Sequence, residues 1–196
     1  MGGSSRLEAY LGGLPEGLGS YPDCVAKATV FRSALDVQPV EPDPAWPTPI
    51  LELVRTPPPP TTWIPEAVSV AAHFAVADAS GLDDAAVLDW AYRANSSLAR
   101  SRLYRALTQL ASPSLLLRGA ELSWTMIHRG VDIEIVREDH RATITAIHPR
   151  ALWTEFVHRS TATGFRAVLE SSRGENVQVE LVSVEATRGE YLCTWE

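Results

Sequence analysis

The C-terminal part of the chain alternates between two hydrophobic periods. After Gly130, apolar and polar residues alternate over 131–135 and again over 142–147. A period of two is typical of a β-hairpin that buries one face. Helical spacing then returns before two more alternating segments follow. We therefore predict that the first hairpin is followed by a helix over 151–172 and by a second hairpin with strands at 177–184 and 190–195.

The segment 67–77 is apolar on nearly every side. Pro65 precedes it as a first-turn residue, and Ser80-Gly81 supplies a stop signal. A helix without a polar face is typical of a buried position. This pattern predicts the central helix of the fold.

Capping residues indicate three further helices. Asp23, the pair Asp83-Asp84, and Ser112 each precede a stripe of apolar residues, and their side chains can accept hydrogen bonds from free backbone N–H groups. We predict helices over 24–35, from Asp83 along the stripe that reaches Leu110, and from Pro113 to about His128.

The segment 38–65 contains ten of the fourteen prolines and connects the first helix to the central one. Its apolar residues, among them Trp46 and Trp63, favour an arm that lies on a core, and a short helix over 47–55 fits within it. A proline-rich recruitment motif is the alternative. The pattern leaves open whether the arm packs on its own subunit or on a neighbour.

These elements predict an α+β fold in which helices cover one face of a four-stranded antiparallel sheet. The sheet consists of two hairpins separated by a helix. We expect one domain over 1–196, with an N-terminal helix (21–36), the proline-rich arm (38–65), a helical part (66–128) and a hairpin–helix–hairpin part (130–196).

Composition supports a globular chain and excludes several classes of partner. Of the 196 residues, 45% are hydrophobic and 21% are charged, which is ordinary globular usage. The formal net charge of -7 opposes nucleic-acid binding, which depends on clustered basic residues. No apolar run approaches the ~20 residues of a membrane span.

The first residues give no export signal, because a basic segment followed by a continuous apolar run is missing. Cys24 and Cys193 lie at opposite ends of the chain and have no metal-binding spacing. We expect two unpaired thiols and a cytoplasmic location.

His73 is the most interesting candidate ligand, because it lies among small residues on the helix that we predict to be central. An imidazole there could bind haem iron or act as a base. A hydrogen-bonded core histidine is the alternative. No second ligand or haem-attachment motif accompanies it, so we expect no cofactor.

Other candidate groups have weaker support. His128, His140, His148 and His158 lack metal-ligand spacing, and no nucleophile motif surrounds Cys24. The carboxylates of Asp132 and Glu134 share one face of a strand, where solvation is their expected state. The sequence therefore favours a protein without enzymatic activity, and an enzyme using Cys24 or a histidine remains an alternative.

The C-terminal segments 164–170, 175–180 and 189–195 resemble the closing helix and hairpin of an uncharacterised myxobacterial family with many paralogues. Segments 23–33, 103–107 and 128–130 are similar to earlier parts of that family. The ending is also more remotely similar to the group of 4-vinyl reductase and haem-nitric-oxide-binding domains, which share their fold with a vesicle-tethering subunit. That group usually has paired cysteines in the last hairpin, where only Cys193 is present. The resemblance implies a fold and a tendency to bind ligands or partners.

Together these observations predict a sensory or regulatory domain that binds a small apolar molecule or a protein partner between its helices and its sheet, and that self-associates. A haem or redox sensor using His73 is the second hypothesis. The ligand-binding side chains that we predict are His73, Phe74, Tyr92, Trp124, Phe165, Tyr191 and Trp195.

Overall fold

A computed structural model describes residues 5–101 and 111–196. Within these residues the chain forms seven α-helices and one short 3₁₀ turn at Gly17–Gly19. None of the described helices is long and apolar enough to cross a membrane. The helices are α1 (Arg6–Gly13), α2 (Ala28–Val37), α3 (Thr48–Arg55), α4 (Glu66–Ala79), α5 (Asp84–Ala99), α6 (Pro113–Thr125) and α7 (Glu155–Glu170).

The described strands form two antiparallel sheets. The larger sheet has the order β4-β5-β7-β6, and its two hairpins flank α7, as the alternation predicts. The smaller sheet has the order β2-β1-β3 and was not predicted. The α+β fold with a four-stranded sheet is confirmed. The strands are β1 (Val25–Lys27), β2 (Trp63–Pro65), β3 (His128–Arg129), β4 (Asp132–Glu138), β5 (Arg141–Ile147), β6 (Gln178–Glu185) and β7 (Arg188–Thr194).

Helix α4 occupies the centre of the helical layer. Eleven of its fourteen residues are buried, and it contacts α1, α2 and α3. Its small and β-branched side chains allow this close approach on all sides. The chain leaves the helix through Gly81, which has a φ of +63° that glycine adopts without strain.

The larger sheet buries one face against helices. In β5, Ala142, Ile144 and Ala146 are buried, and in β7 the buried residues include Tyr191 and Cys193. The register places Ile144 opposite Tyr191 and Ala142 opposite Cys193. The inner face is therefore continuous across the two central strands, because side chains on one face of paired strands lie side by side.

The helix predicted to start at residue 24 begins instead at Ala28. Residues 25–27 form β1, which pairs with β2 on one side and with β3 on the other. Asp23 therefore does not cap the helix, whose N-cap is Lys27. The error has a physical cause, because the two pairing partners lie about 40 and 100 residues away and tertiary pairing overrides a local helical pattern.

The N-terminal segment is more ordered than its glycines suggest. Ser5 and Glu8 form a reciprocal capping box that starts α1, and the helix continues to Gly13. Arg6 binds both Asp78 and Asp84, which fixes the start of α1 against the helical layer. The glycine pair lies at the C-terminal end of this helix and is no flexible turn.

The proline-rich segment 38–65 packs on its own subunit. It contains α3, which contacts α4 through the buried side chains Ile50, Leu53 and Val54, and it ends in β2. The short predicted helix therefore exists with nearly the predicted bounds. Arg32 holds the following prolines by donating to the carbonyl oxygens of Pro57 and Pro58.

Two predicted helices differ from the structure at their ends. The helix expected over 151–172 covers Glu155–Glu170, because Ala151 has a φ of +62° and Thr154 caps the first turn. The helix expected to reach His128 ends at Thr125, since the chain there enters β3. The stripe at Leu103, Leu107 and Leu110 lies outside the described residues.

Asp78 tethers α1 to α4, so its removal should destabilise the fold. Its carboxylate accepts from the Leu7 backbone N–H at 3.0 Å and from Arg6 at 3.2 Å. We expect Asp78→Ala to lower the free energy of unfolding by about 1–2 kcal/mol in urea denaturation. The control is Asp89→Ala, which removes an exposed pair with Arg93 and should cost less than about 0.5 kcal/mol. Equal losses in both variants would contradict this role of Asp78.

Candidate functional site

A cavity of about 330 Å³ lies between the helices and the larger sheet. Its volume is at the lower end of the ~300–1,000 Å³ that ligand pockets usually have. Helices α2, α4, α5, α6 and α7 contribute to its walls, and apolar and aromatic side chains predominate. The aromatic and histidine side chains in the wall are His73, Phe74, Trp90, Trp124, His128, Trp153, Phe156 and Phe165.

His73 presents one unpaired ring nitrogen in this wall. Its Nδ1 lies 2.8 Å from the Ser69 carbonyl oxygen, and a carbonyl oxygen only accepts, so Nδ1 carries the proton. Nε2 then has a lone pair, and it makes no hydrogen bond to residues 5–101 or 111–196. Burial lowers the pKa of His73, which favours the neutral ring. A neutral imidazole with an available Nε2 is a metal-ligating form.

Aromatic side chains fix the orientation of the His73 ring. Phe31 packs edge-on against it with ring centroids 5.2 Å apart, and the Trp90 centroid lies 5.8 Å away. Trp90 is itself held by a 2.8 Å hydrogen bond from its indole to the Ala34 carbonyl oxygen. The ring therefore has little freedom to turn away from the cavity.

A buried carboxylate lies in the same wall. Glu66 binds His128 through Oε2 at 3.2 Å and accepts from the Trp153 indole through Oε1 at 3.2 Å. Burial alone would raise the pKa of Glu66, but the charge and hydrogen bond of His128 and the hydrogen bond of Trp153 lower it below its usual value. Glu66 is the only Asp, Glu, Lys or Arg in the cavity wall as far as the structure describes it.

A second buried polar cluster lies beside the cavity. The Tyr191 hydroxyl is 2.6 Å from His158 Nδ1, and His158 Nε2 is 2.9 Å from His148 Nε2. This series of hydrogen bonds ends at His148 Nδ1, which lies 2.9 Å from the Pro149 carbonyl oxygen. We call the three side chains His148, His158 and Tyr191 the histidine relay. Burial, and to a smaller extent His148, lowers the pKa of His158 to about 4.

The structure brings together four of the seven predicted ligand-binding side chains. His73, Phe74, Trp124 and Phe165 line the cavity. Their role in binding stays a prediction. The other three lie elsewhere: Tyr92 donates to Glu170, Tyr191 belongs to the histidine relay, and Trp195 is buried at the end of the sheet.

Sequence reasoning missed Glu66 and Trp153 as parts of the site. Their one local signal is that Glu66 is a carboxylate at the start of a helix that is otherwise apolar nearly all round. Trp153 lies 87 positions away, so no spacing rule connects the two. His148 and His158 were considered as metal ligands, but the hydrogen bond between their rings is not visible in their spacing.

Cys24 does not have the environment of an activated thiol. Its Sγ donates to the Gly130 carbonyl oxygen at 3.1 Å, and burial raises the pKa of the thiol. Reactive cysteines need the opposite shift. A thiol-based enzyme is therefore not favoured, although this observation leaves other chemistries untouched.

Several solved H-NOX domains have a similar arrangement of elements. An Fe(II) unliganded H-NOX protein from K. algicida gives a TM-score of 0.53 at 10% identity, covering 87% of this chain and 96% of that one. The fold is that of H-NOX domains. An oxygen-binding H-NOX domain related to soluble guanylate cyclases gives 0.52 at 11% identity, with coverages of 86% and 92%. No family model matches the chain, and no curated protein matches it by sequence.

The comparisons correct one expectation and leave another without support. A structure used to probe haem distortion in the H-NOX family gives a TM-score of 0.51 at 12% identity over 86% of both chains. The expectation that the chain binds no cofactor is therefore wrong, because proteins of this fold include haem proteins. The remote resemblance to haem-nitric-oxide-binding domains is confirmed at the level of fold. The narrower resemblance to a myxobacterial family has no support from these comparisons.

The His158 ring leaves no room for a side chain at Gly189 of β7. A Cβ added at Gly189 would clash with His158 Nδ1. Because both ring nitrogens are hydrogen-bonded, the ring cannot move away without breaking a bond. We expect Gly189→Ala to lower the free energy of unfolding by about 1–3 kcal/mol in urea denaturation.

The matched control for this variant is Gly119→Ala in the interior of α6. No atom of the described residues lies within 4 Å of a Cβ there, so the substitution should stabilise the protein by about 0.5–1 kcal/mol through helix propensity. If Gly189→Ala were as stable as the natural protein, the packing of the His158 ring against β7 would be refuted.

Proposed function

We propose that this chain is a sensor-type ligand-binding domain that holds haem in its cavity, with His73 as the axial ligand to iron. The observation that carries the proposal is the state of His73. Its Nδ1–H is bound by the Ser69 carbonyl oxygen, and its Nε2, in the cavity wall, makes no hydrogen bond within residues 5–101 and 111–196. Iron-binding histidines usually have this arrangement, in which a hydrogen bond to one nitrogen orients the other.

The other wall residues fit the apolar faces of a macrocycle. Phe74, Trp124 and Phe165 supply aromatic surface, and the small side chains Ala91, Ala94, Ala99 and Ala120 leave space between the helices. Such walls exclude water and gain stability when an apolar body replaces it. The residues present therefore support a planar apolar ligand next to His73.

The described wall offers fewer groups that could bind the carboxylates of haem. No lysine or arginine of residues 5–101 and 111–196 lines the cavity, and Glu66 adds a negative charge there. Haem affinity would thus come from His73 and from apolar contact. These residues would form no ion pair with the haem carboxylates.

When bound through a single histidine, haem iron supplies an open coordination position for a diatomic gas. The chain's own contribution would be to hold the ligating nitrogen neutral and oriented. The Ser69 carbonyl oxygen fixes the tautomer of His73, and Phe31 and Trp90 fix the plane of its ring. Glu66 stays engaged by His128 and Trp153, so it does not compete for the His73 proton.

The test is titration of the purified protein with haemin and with iron-free protoporphyrin IX, read by absorbance. We expect the natural protein to bind haemin with a histidine-ligated spectrum, and His73→Gly to lose that spectrum and regain it when imidazole is added. The control is His140→Gly, which changes an exposed turn histidine and should leave binding unchanged. A haemin spectrum that is identical in His73→Gly would refute axial ligation by His73.

A small apolar molecule without iron is the second candidate. Glu66 and the lack of lysine and arginine side chains in the described wall favour it, because these features suit a neutral ligand better than an anionic one. Native mass spectrometry of the protein as purified from its source would separate the two candidates. A bound mass that is lost on denaturation and contains no iron would support the apolar ligand and contradict haem.

A further inference from the structure

The histidine relay joins three elements that meet beside the cavity. His148 follows β5, His158 lies on α7, and Tyr191 lies on β7. The same helix α7 supplies part of the cavity wall through Thr161, Gly164, Phe165 and Val168. The relay therefore adds hydrogen bonds between a cavity wall and the sheet to the packing of Phe165 against Tyr191.

Burial lowers the pKa of both His148 and His158, which favours two neutral rings, and for neutral rings the geometry assigns every proton in the relay. A carbonyl oxygen can only accept, so the Pro149 contact requires a proton on His148 Nδ1, and neutral His148 then offers Nε2 as an acceptor. His158 donates to it from Nε2, and its Nδ1 accepts from the Tyr191 hydroxyl. Each of the three hydrogen bonds thus contains one proton.

An additional proton would leave a buried positive charge in this arrangement. The Tyr191 hydroxyl can accept as well as donate, so a protonated His158 would donate from Nε2 to His148 and from Nδ1 to Tyr191. The relay would therefore keep its hydrogen bonds, and the cost of the proton is the burial of a cation in rings that are 4% (His148) and 0% (His158) exposed.

No described carboxylate hydrogen-bonds to the relay to offset such a charge. On the side of α4, Glu66 lies beyond Trp153 and is already engaged by His128. On the side of α1, Tyr10 donates to the Leu152 carbonyl oxygen. The two charged side chains adjacent to relay residues in sequence form ion pairs elsewhere: Arg159 with Asp84, and Glu190 with Arg188.

We infer that the histidine relay is a proton-operated latch on α7. At neutral pH it holds α7 against the sheet, and on acidification the open form, in which the rings reach water and take up protons, gains population. The cavity then loses one wall. The release of a ligand from the cavity rests on the proposed function, whereas the latch itself does not.

The size and sign of the effect follow from linkage. The ordinary pKa of histidine is 6.5, and in the closed form the pKa of His158 is about 4. Between these values the open form binds more protons than the closed one, so acid favours opening and the effect saturates below the closed-state pKa. Titration of His158 alone should raise the open population about 30-fold between pH 8 and pH 5.

The first test is hydrogen exchange of the α7 amides between pH 8 and pH 5, corrected for the intrinsic pH dependence of exchange. We expect opening of α7 to rise about 30-fold or more in the natural protein, with α4 unaffected. The double variant His148→Gln/His158→Gln cannot titrate and should show no such rise. The control is His140→Gln, which should behave as the natural protein. Equal rises in the double variant, or equal opening of α4, would overturn the latch.

A second measurement needs no variant. Nitrogen-15 chemical shifts should show His158 protonated on Nε2 and His148 on Nδ1 at pH 7, with His158 resisting protonation until well below pH 6. Titration of His158 near pH 6.5 in the folded protein, or the opposite tautomers, would overturn the proposal even if the double variant does not fold.

The effect of the latch on ligand release is tested with haemin as the probe. If haemin binds at pH 8, it should dissociate faster at pH 5 in the natural protein than in His148→Gln/His158→Gln, and equal rates in the two would refute control of the cavity by the latch. If haemin does not bind at all, the proposed function fails, and the exchange and nitrogen-15 measurements still decide the latch.

Discussion

The fold depends on the all-round burial of α4. A helix with apolar side chains on every side is stable in water only when other elements cover it completely. Helices α1, α2 and α3 cover it on several sides, and Arg6 fastens the first of them through Asp78. The proline-rich segment is thereby part of the core, because α3 lies within it. What the covering elements leave open on α4 is the wall that contains Glu66 and His73.

Polar groups in this interior occur as closed hydrogen-bonded sets. Glu66 has both His128 and Trp153 as partners, and the histidine relay accounts for each of its protons. Burying an unpaired polar group would cost roughly 1–3 kcal/mol, so sets of this kind are what a core tolerates. Against that background the Nε2 atom of His73 is distinctive. It lies in the cavity wall and makes no hydrogen bond to the part of the chain that the structure describes.

The sequence predicted the elements whose signals are local. The alternation after Gly130 gave both hairpins, and the composition of 67–77 gave a buried helix, because each pattern directly reflects which side chains face the core. Strand β1 could not be found in this way, since its three residues become a strand only by pairing with distant β2 and β3. The same holds within the site. His73 could be singled out from its neighbours, whereas the contacts of Glu66 with Trp153, and of His148 with His158, exist only once the sheet and α7 have packed.

The fold of this molecule does not by itself determine which ligand it binds. At about 10% identity, the likeness to H-NOX domains reports how elements pack, and packing alone permits many ligands. The choice of ligand depends on the donor set in the wall, here one neutral imidazole, one carboxylate and aromatic faces. Glu66 and His73 lie on one helix but have different roles. Glu66 holds β3 and Trp153 in place through its hydrogen bonds, so the structure needs it. The Nε2 atom of His73 makes no hydrogen bond to any described residue, so a ligand that binds it displaces none of their hydrogen bonds.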